Sequence, residues 1–190
     1  MMLRDLVAKN RSYRRFDASF KVPEETLKEL VEMALLTASG GNQQPLKYIV
    51  SSDKEKNSKI FDCLAWAAAL KDWDGPDSSQ RPSGYIIILN DTQIMRQSGC
   101  DHGIAAQTIL LGAVEKGLGG CILGAVNREK LRNALDLPGR YDILLVLAIG
   151  KPDETVIIEP MPADGETRYW RDELGNHHVP KRSIDEVIIE

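Results

Sequence analysis

Two uninterrupted apolar runs, Tyr85-Ile86-Ile87-Ile88-Leu89 and Ile143 to Ile149, limit most severely what this chain can fold into. Neither alternates with polar residues, and both are rich in branched side chains. The first reads as a buried strand and the second as a central one. Between them lies the best helical pattern, Ser98 to Lys116, in which Ile104, Ala105, Thr108, Leu111, Gly112 and Glu115 mark the expected close-packing face.

Other elements follow from local signals. Leu3 to Asn10 reads as a short helix ending at a basic motif. Pro23 in a first turn, with Glu24 and Glu25, opens a helix carrying Leu27, Leu30, Val31, Ala34 and Leu35 at helical spacing. That helix stops at Ser39-Gly40-Gly41. Leu46 to Ser51 alternates like a strand, and Ser52-Asp53 caps a helix expected to run to about Leu70. Asp72 to Gly84 is a long polar loop, a length that favours a functional role. Cys121 to Leu123 reads as a strand and Arg128 to Leu135 as a helix. From Lys151 the chain carries Pro152, Pro160, Pro162 and Pro180 with little periodicity, as expected of a segment that wraps around something.

The 190 residues fit one domain, 1–190, and 43% hydrophobic with 27% charged residues is the composition of a soluble globular protein. A net charge of −4 argues against nucleic acid as a partner. No run approaches the ~18 apolar residues of a membrane span, nor is there a signal-peptide run. Cys63, Cys100 and Cys121 are scattered, so reduced thiols in a cytoplasmic protein are expected. The adjacent His177 and His178 do not suit one metal, and no metal site is expected. The pairs Glu24-Glu25 and Asp185-Glu186 read as helix-terminal charges.

Four motifs carry chemistry. Arg11-Ser12-Tyr13-Arg14-Arg15-Phe16 sets a hydroxyl among cations, which suits a phosphorylated ligand, though the same residues could form a solvated helix end. Ser39-Gly40-Gly41-Asn42-Gln43-Gln44-Pro45 is a small-residue loop with several amides, and also a helix end followed by a turn. Gly117-Leu118-Gly119-Gly120-Cys121-Ile122-Leu123-Gly124 is a glycine-rich bend, in which Cys121 reads as a small buried hydrophobe rather than a nucleophile. Lys181-Arg182 is a cation pair before the apolar Val187-Ile188-Ile189.

In this order, the four motifs resemble the nitroreductase-type flavoprotein family over the whole length. The resemblance implies an α+β fold with a mixed, mainly antiparallel central sheet flanked by helices. It also implies a homodimer with FMN between the subunits, in which residues 151–190 extend as an arm over the partner. It places Arg11 and Ser12 on the phosphate or ribityl chain and Arg14 near N1 and O2 of the flavin. Ser39, Gly40, Asn42 and Gln44 reach the other subunit's flavin. Leu123 and Gly124 sit at the bend beside N5, with the Gly124 amide as donor. Lys181 and Arg182 clamp the phosphate. This chain has Asn10, Ala38 and Leu46 where relatives often carry arginine, proline and tryptophan. The middle region, with Trp66 and Trp73, tends to overhang the flavin, but Asp62 to Pro82 matches no firm motif.

The resemblance further implies an enzyme that takes electrons from NADH or NADPH and passes them to a small acceptor such as a nitroaromatic or quinone. No side chain is then needed as catalytic acid or base. A flavin-dependent dehalogenase, a flavin-destroying relative, a passive flavin-binding redox module and a phosphate-binding regulator remain alternative readings.

Overall fold

The computed structural model describes residues 2–189. The first half contains α1 (Leu3–Lys9), α2 (Glu24–Leu35), β1 (Leu46–Ser51), α3 (Lys54–Phe61) and β2 (Gly84–Asp91). Then come α4 (Asp101–Glu115), β3 (Gly119–Leu123), α5 (Arg128–Ala134) and β4 (Tyr141–Gly150). Three short strands close the chain: β5 (Val156–Pro160), β6 (Trp170–Arg171) and β7 (His177–Lys181).

The two apolar runs are the inner strands of a four-stranded antiparallel sheet in the order β1-β2-β4-β3. Their lack of polar alternation has a plain cause: both faces are covered. Ile86 and Ile88, with Leu147 and Ile149, pack on Leu27 and Leu30 of α2 and on Ala105, Ala106, Ile109 and Ala113 of α4. Tyr85, Ile87 and Leu89, with Val146 and Ala148, meet Ile60 of α3, Leu131 of α5, and Cys63 and Trp66. Neighbours on a strand thus feed opposite cores. Against the packing face expected for α4, Ala105 and Gly112 are buried, but Ile104 is 41% exposed and Glu115 lies at the surface. The buried stripe runs through Ala106, Ile109 and Leu110 instead.

The helix after Ser52 ends at Phe61, well short of Leu70. The alanine-rich stretch beyond it has helical propensity, but tertiary bonds override it. Leu64 forms a bridge with Val126, the Ala65 N–H donates to the Ala125 carbonyl at 2.9 Å, and Asn127 N–H donates to the Cys63 carbonyl at 2.8 Å. Ala67 turns the chain with a left-handed φ of 39°.

The segment after Lys151 also has more structure than its pattern suggests. β5 pairs parallel with β7, and β6 antiparallel with it, giving the order β5-β7-β6. Pro180 fits because β6 reaches only His177 and His178, so that end of β7 lacks a second neighbour. The segment is tied to its own chain at the start: Asp17 N–H donates to the Lys151 carbonyl at 2.9 Å and Asp153 N–H to the Arg15 carbonyl at 3.0 Å.

The basic motif lies along the outer edge of β3. Ser12 bridges Gly120 in the parallel sense, and the Tyr13 N–H donates to the Gly120 carbonyl at 3.0 Å. Two glycines make this approach possible. A Cβ on Gly119 would stand 2.5 Å from the Tyr13 ring, and one on Gly120 would stand 2.6 Å from both the Ala148 carbonyl and Leu110. Gly120→Ala is therefore expected to lower stability by about 1–3 kcal/mol. Gly139→Ala, which meets nothing within 4 Å, should stay near the wild type. Urea unfolding of both variants checks this, and equal midpoints would contradict the close approach.

Candidate functional site

The open edge of β3 is where the sequence motifs converge. In an antiparallel strand, alternate residues turn their backbone groups away from the partner strand. The Gly120 carbonyl faces outward to Tyr13, so the same alternation turns the peptide groups of Ile122 to that edge. Arg14 comes next after the paired stretch. With Cys121, Ile122, Leu123 and Gly124 it lines a cavity of about 170 Å³, closed on the other side by Ala65 to Ala68. Of the expected ligand contacts, Arg14, Leu123 and Gly124 are thus brought together. The wall opposite them comes from the middle region, where Trp66 is buried core as well as lining.

Arg14 is held by residues that no local pattern marked. Its Nη1 donates to the Ser12 carbonyl at 3.1 Å and lies 3.0 Å from Nε2 of His177. Its guanidinium sits 4.6 Å from the centre of the Tyr169 ring. The Arg14 and Arg15 peptide N–H groups both donate to Oε1 of Glu154, the latter at 3.1 Å, while Arg171 donates to Oε2 at 3.0 Å. Glu154 is shielded from water, with a side chain 2% exposed. Glu154, Tyr169, Arg171 and His177 all belong to the C-terminal sheet or its connections.

His177 is 1% exposed, and its pKa falls to about 4, through burial first and the Arg14 charge second. The imidazole is neutral at pH 7, so Nε2 accepts from Arg14 and the proton resides on Nδ1. Strand alternation sends the next residue to the opposite face. There His178 lies between Glu159, at 2.7 Å, and Asp172, at 3.2 Å, and these bonds raise its pKa. Burial pushes the Cys121 thiol up, which keeps it protonated as a small hydrophobe.

At the far end of the bend, Arg128 fixes Gly124. Its Nε donates to the Ile143 carbonyl at 2.9 Å, and Nη2 reaches the carbonyls of Leu144 at 3.1 Å and Gly124 at 3.4 Å.

The loop at residues 39–45 is a separate construction. The Ser39 hydroxyl donates to Oδ2 of Asp101 at 2.6 Å, Gly40 N–H donates to Oδ1 at 3.0 Å, and Gln44 N–H donates to the Ser39 oxygen at 2.9 Å. Asp101, buried in the first turn of α4, is thus the loop's anchor. Its place at a helix start was the one sequence signal available. Asn42 and Gln44 take left-handed φ values of 54° and 51°, and Gln44 Nε2 donates to Asn42 Oδ1 at 3.2 Å on the exposed surface. Among the described residues, no hydrogen bond or shared cavity joins this loop to Arg14.

The remaining motif residues have local partners. Arg11 donates to the Val7 carbonyl at 2.8 Å and so completes the end of α1. Asn10 is buried, and its amide donates to Gln107 of α4 at 3.4 Å. Lys181 and Arg182 are exposed, and Arg182 pairs with Glu186 at 3.3 Å. Neither contacts Arg11, Ser12 or Arg14 through a hydrogen bond or ion pair among the described residues.

Comparison with known proteins gives the family. The nitroreductase family model matches residues 7–151, and the chain belongs to the nitroreductase family. It is accordingly an oxidoreductase. The NADPH-flavin oxidoreductase of Vibrio harveyi is 22% identical over 84% of this chain and 70% of that protein. The iodotyrosine deiodinase of Thermotoga neapolitana is 24% identical over 80% of this chain and 90% of the relative. The solved structure of an FMN-dependent nitroreductase from Clostridium difficile R20291 is 25% identical, covers 80% of this chain and 88% of its own, and has a TM-score of 0.65. Among the described residues, no helix is long and apolar enough to cross a membrane.

The buried His177 makes a pH prediction with a definite sign. Its folded pKa of about 4 lies below the usual 6.5, so between these values the unfolded chain binds more protons. Its contribution is present above pH 6.5 and lost as pH falls toward 4, to a limit of about 3 kcal/mol. Denaturant unfolding of wild type and His177→Gln at pH 7 and pH 4.5 should show a steeper acid loss in the wild type. Identical slopes would mean that His177 is not buried as a neutral ring.

Proposed function

We propose that this oxidoreductase is an FMN-dependent NAD(P)H enzyme, working as a homodimer, that passes electrons to a small acceptor such as a nitroaromatic or quinone. The observation that carries the reading is the placing of a fixed cation and outward-facing peptide groups beside one small-residue cavity. Arg14 supplies the charge, Ile122 supplies the peptide edge, and Ala65, Ala67 and Ala68 leave room for a flat ring. This donor set fits a flavin, which gains negative charge on reduction and offers ring nitrogens and oxygens to such donors. FMN, when bound, supplies the two-electron chemistry between nicotinamide and acceptor.

The chain's own contribution is binding, orientation and electrostatics. Arg14 favours the reduced ring, and the Gly124 N–H orients it. Arg11, Ser12, Lys181 and Arg182 supply cations and a hydroxyl for the phosphate. Lys181 has no acidic partner within the described residues. Ser39, Gly40, Asn42 and Gln44 complete the site of a second copy. Their loop is exposed and internally braced, and beside it Leu35 and Leu36 are 65% and 89% exposed, apolar surface that a partner would cover. Residues after Lys181, with Val187, Ile188 and Ile189 turned to solvent, would extend over that partner.

Purified protein should bind FMN, show the flavin absorption bands and be bleached by NADH or NADPH without oxygen. A nitroaromatic or quinone should restore the colour, and a halogenated phenol should not. Protein that takes up no FMN would overturn the reading. Sedimentation should show a dimer burying more than about 2,000 Å², and a stable FMN-loaded monomer would remove the two-chain site.

A further inference from the structure

A cavity of about 330 Å³, larger than the one at Arg14 and sharing no residue with it, lies between α3 and the segments around Lys21 and Arg81. Three cations line it, Lys21, Lys54 and Arg81, and no aspartate or glutamate does. That is a sharp local contrast in a chain whose net charge is −4. Among the described residues, none of the three forms an ion pair. Nearby acids are occupied in their own turns: Asp17 accepts from Ser19, Asp53 from Lys56 and Asp77 from Ser79.

Two of the lining side chains are held in place. Asn57 is 9% exposed, and its Nδ2 donates to the Ser83 carbonyl at 2.8 Å, which fixes the orientation of the amide. Its Oδ1 is buried without a partner. Arg81 is stacked over Phe61 at 3.8 Å from the ring centre, so its planar fork is held in place. Lys54 occupies the first turn of α3, where a positive charge opposes the helix dipole. An anion bound there would offset that opposition.

The geometry points to a second ligand site, for a small organic anion with an apolar body. Its carboxylate or phosphate meets Lys21, Lys54 and Arg81. Its body rests against Phe61 and Pro82. The volume suits such a molecule. The site does not depend on the flavin reading.

The test uses the full chain with FMN in excess and 4-hydroxybenzoate as the probe, which carries a carboxylate on an apolar body. Titration followed by amide NMR should move the resonances of Asn57, Ser58 and Ser83 saturably and leave Gly124 in place. Uncharged 4-hydroxybenzamide should bind at least about tenfold more weakly, as expected for loss of a charge-assisted hydrogen bond. Lys54→Gln relieves the opposed charge and should melt no lower than the wild type, yet lose about tenfold in affinity. Shifts confined to residues 121–125, no saturable shift, or unchanged affinity in Lys54→Gln would overturn the proposal.

Discussion

The carboxylate of Glu154 is the contact on which the rest of the site depends. It is nearly out of reach of water, and it gathers the peptide N–H groups of Arg14 and Arg15 together with the Arg171 guanidinium. A buried charge is tolerable only when fully bonded, so this carboxylate requires the basic motif and the C-terminal sheet to be present together. The motif in turn is zipped to β3 through Ser12 and Gly120. Sheet edge, basic motif and tail are therefore one construction. Arg14 projects from its middle, with His177 and Tyr169 limiting where its charge can go.

Much of this was legible in the sequence, and the parts that were not share a cause. The apolar runs named β2 and β4 because covering both faces of a strand leaves no room for polar alternation. The glycine pair marked the edge of β3, since only glycine lets Tyr13 and the Ala148 carbonyl come so close. Residues 62–70 misled because an alanine-rich local signal lost to bridges with residues 125–127, which no window of neighbours contains. The tail misled because its strands are short and broken by prolines. Glu154 and His177 carry no mark of their roles, since their partner Arg14 stands 140 and 163 positions away.

Within one chain the candidate site is divided. Arg14 and the Leu123-Gly124 bend share one cavity, whereas Ser39 and Gln44 line another with Asp101 and Tyr48. Burial, and then the Asp101 charge, push the Tyr48 hydroxyl up to about 12, so it stays protonated beside that carboxylate. The loop's left-handed Asn42 and Gln44 bond to one another, Gln44 N–H bonds Ser39, and Ser39 and Gly40 bond Asp101, the form of a rigid prong rather than a loose connection. A prong built so firmly and left exposed is the physical reason for proposing that a second copy receives it.

The central claim is that Arg14 is held at the open edge of β3 as the cation of a redox site. The midpoint potential of bound FMN in Arg14→Gln, measured by spectroelectrochemistry against wild type, tests it most directly. Removing a fixed positive charge destabilises the reduced ring, and about 30 mV corresponds to 1.4 kcal/mol for a two-electron couple. A fall of tens of millivolts is expected in fully loaded protein, with a smaller fall in His177→Gln, where the cation remains but loses one of its anchors. An unshifted potential in Arg14→Gln would contradict it.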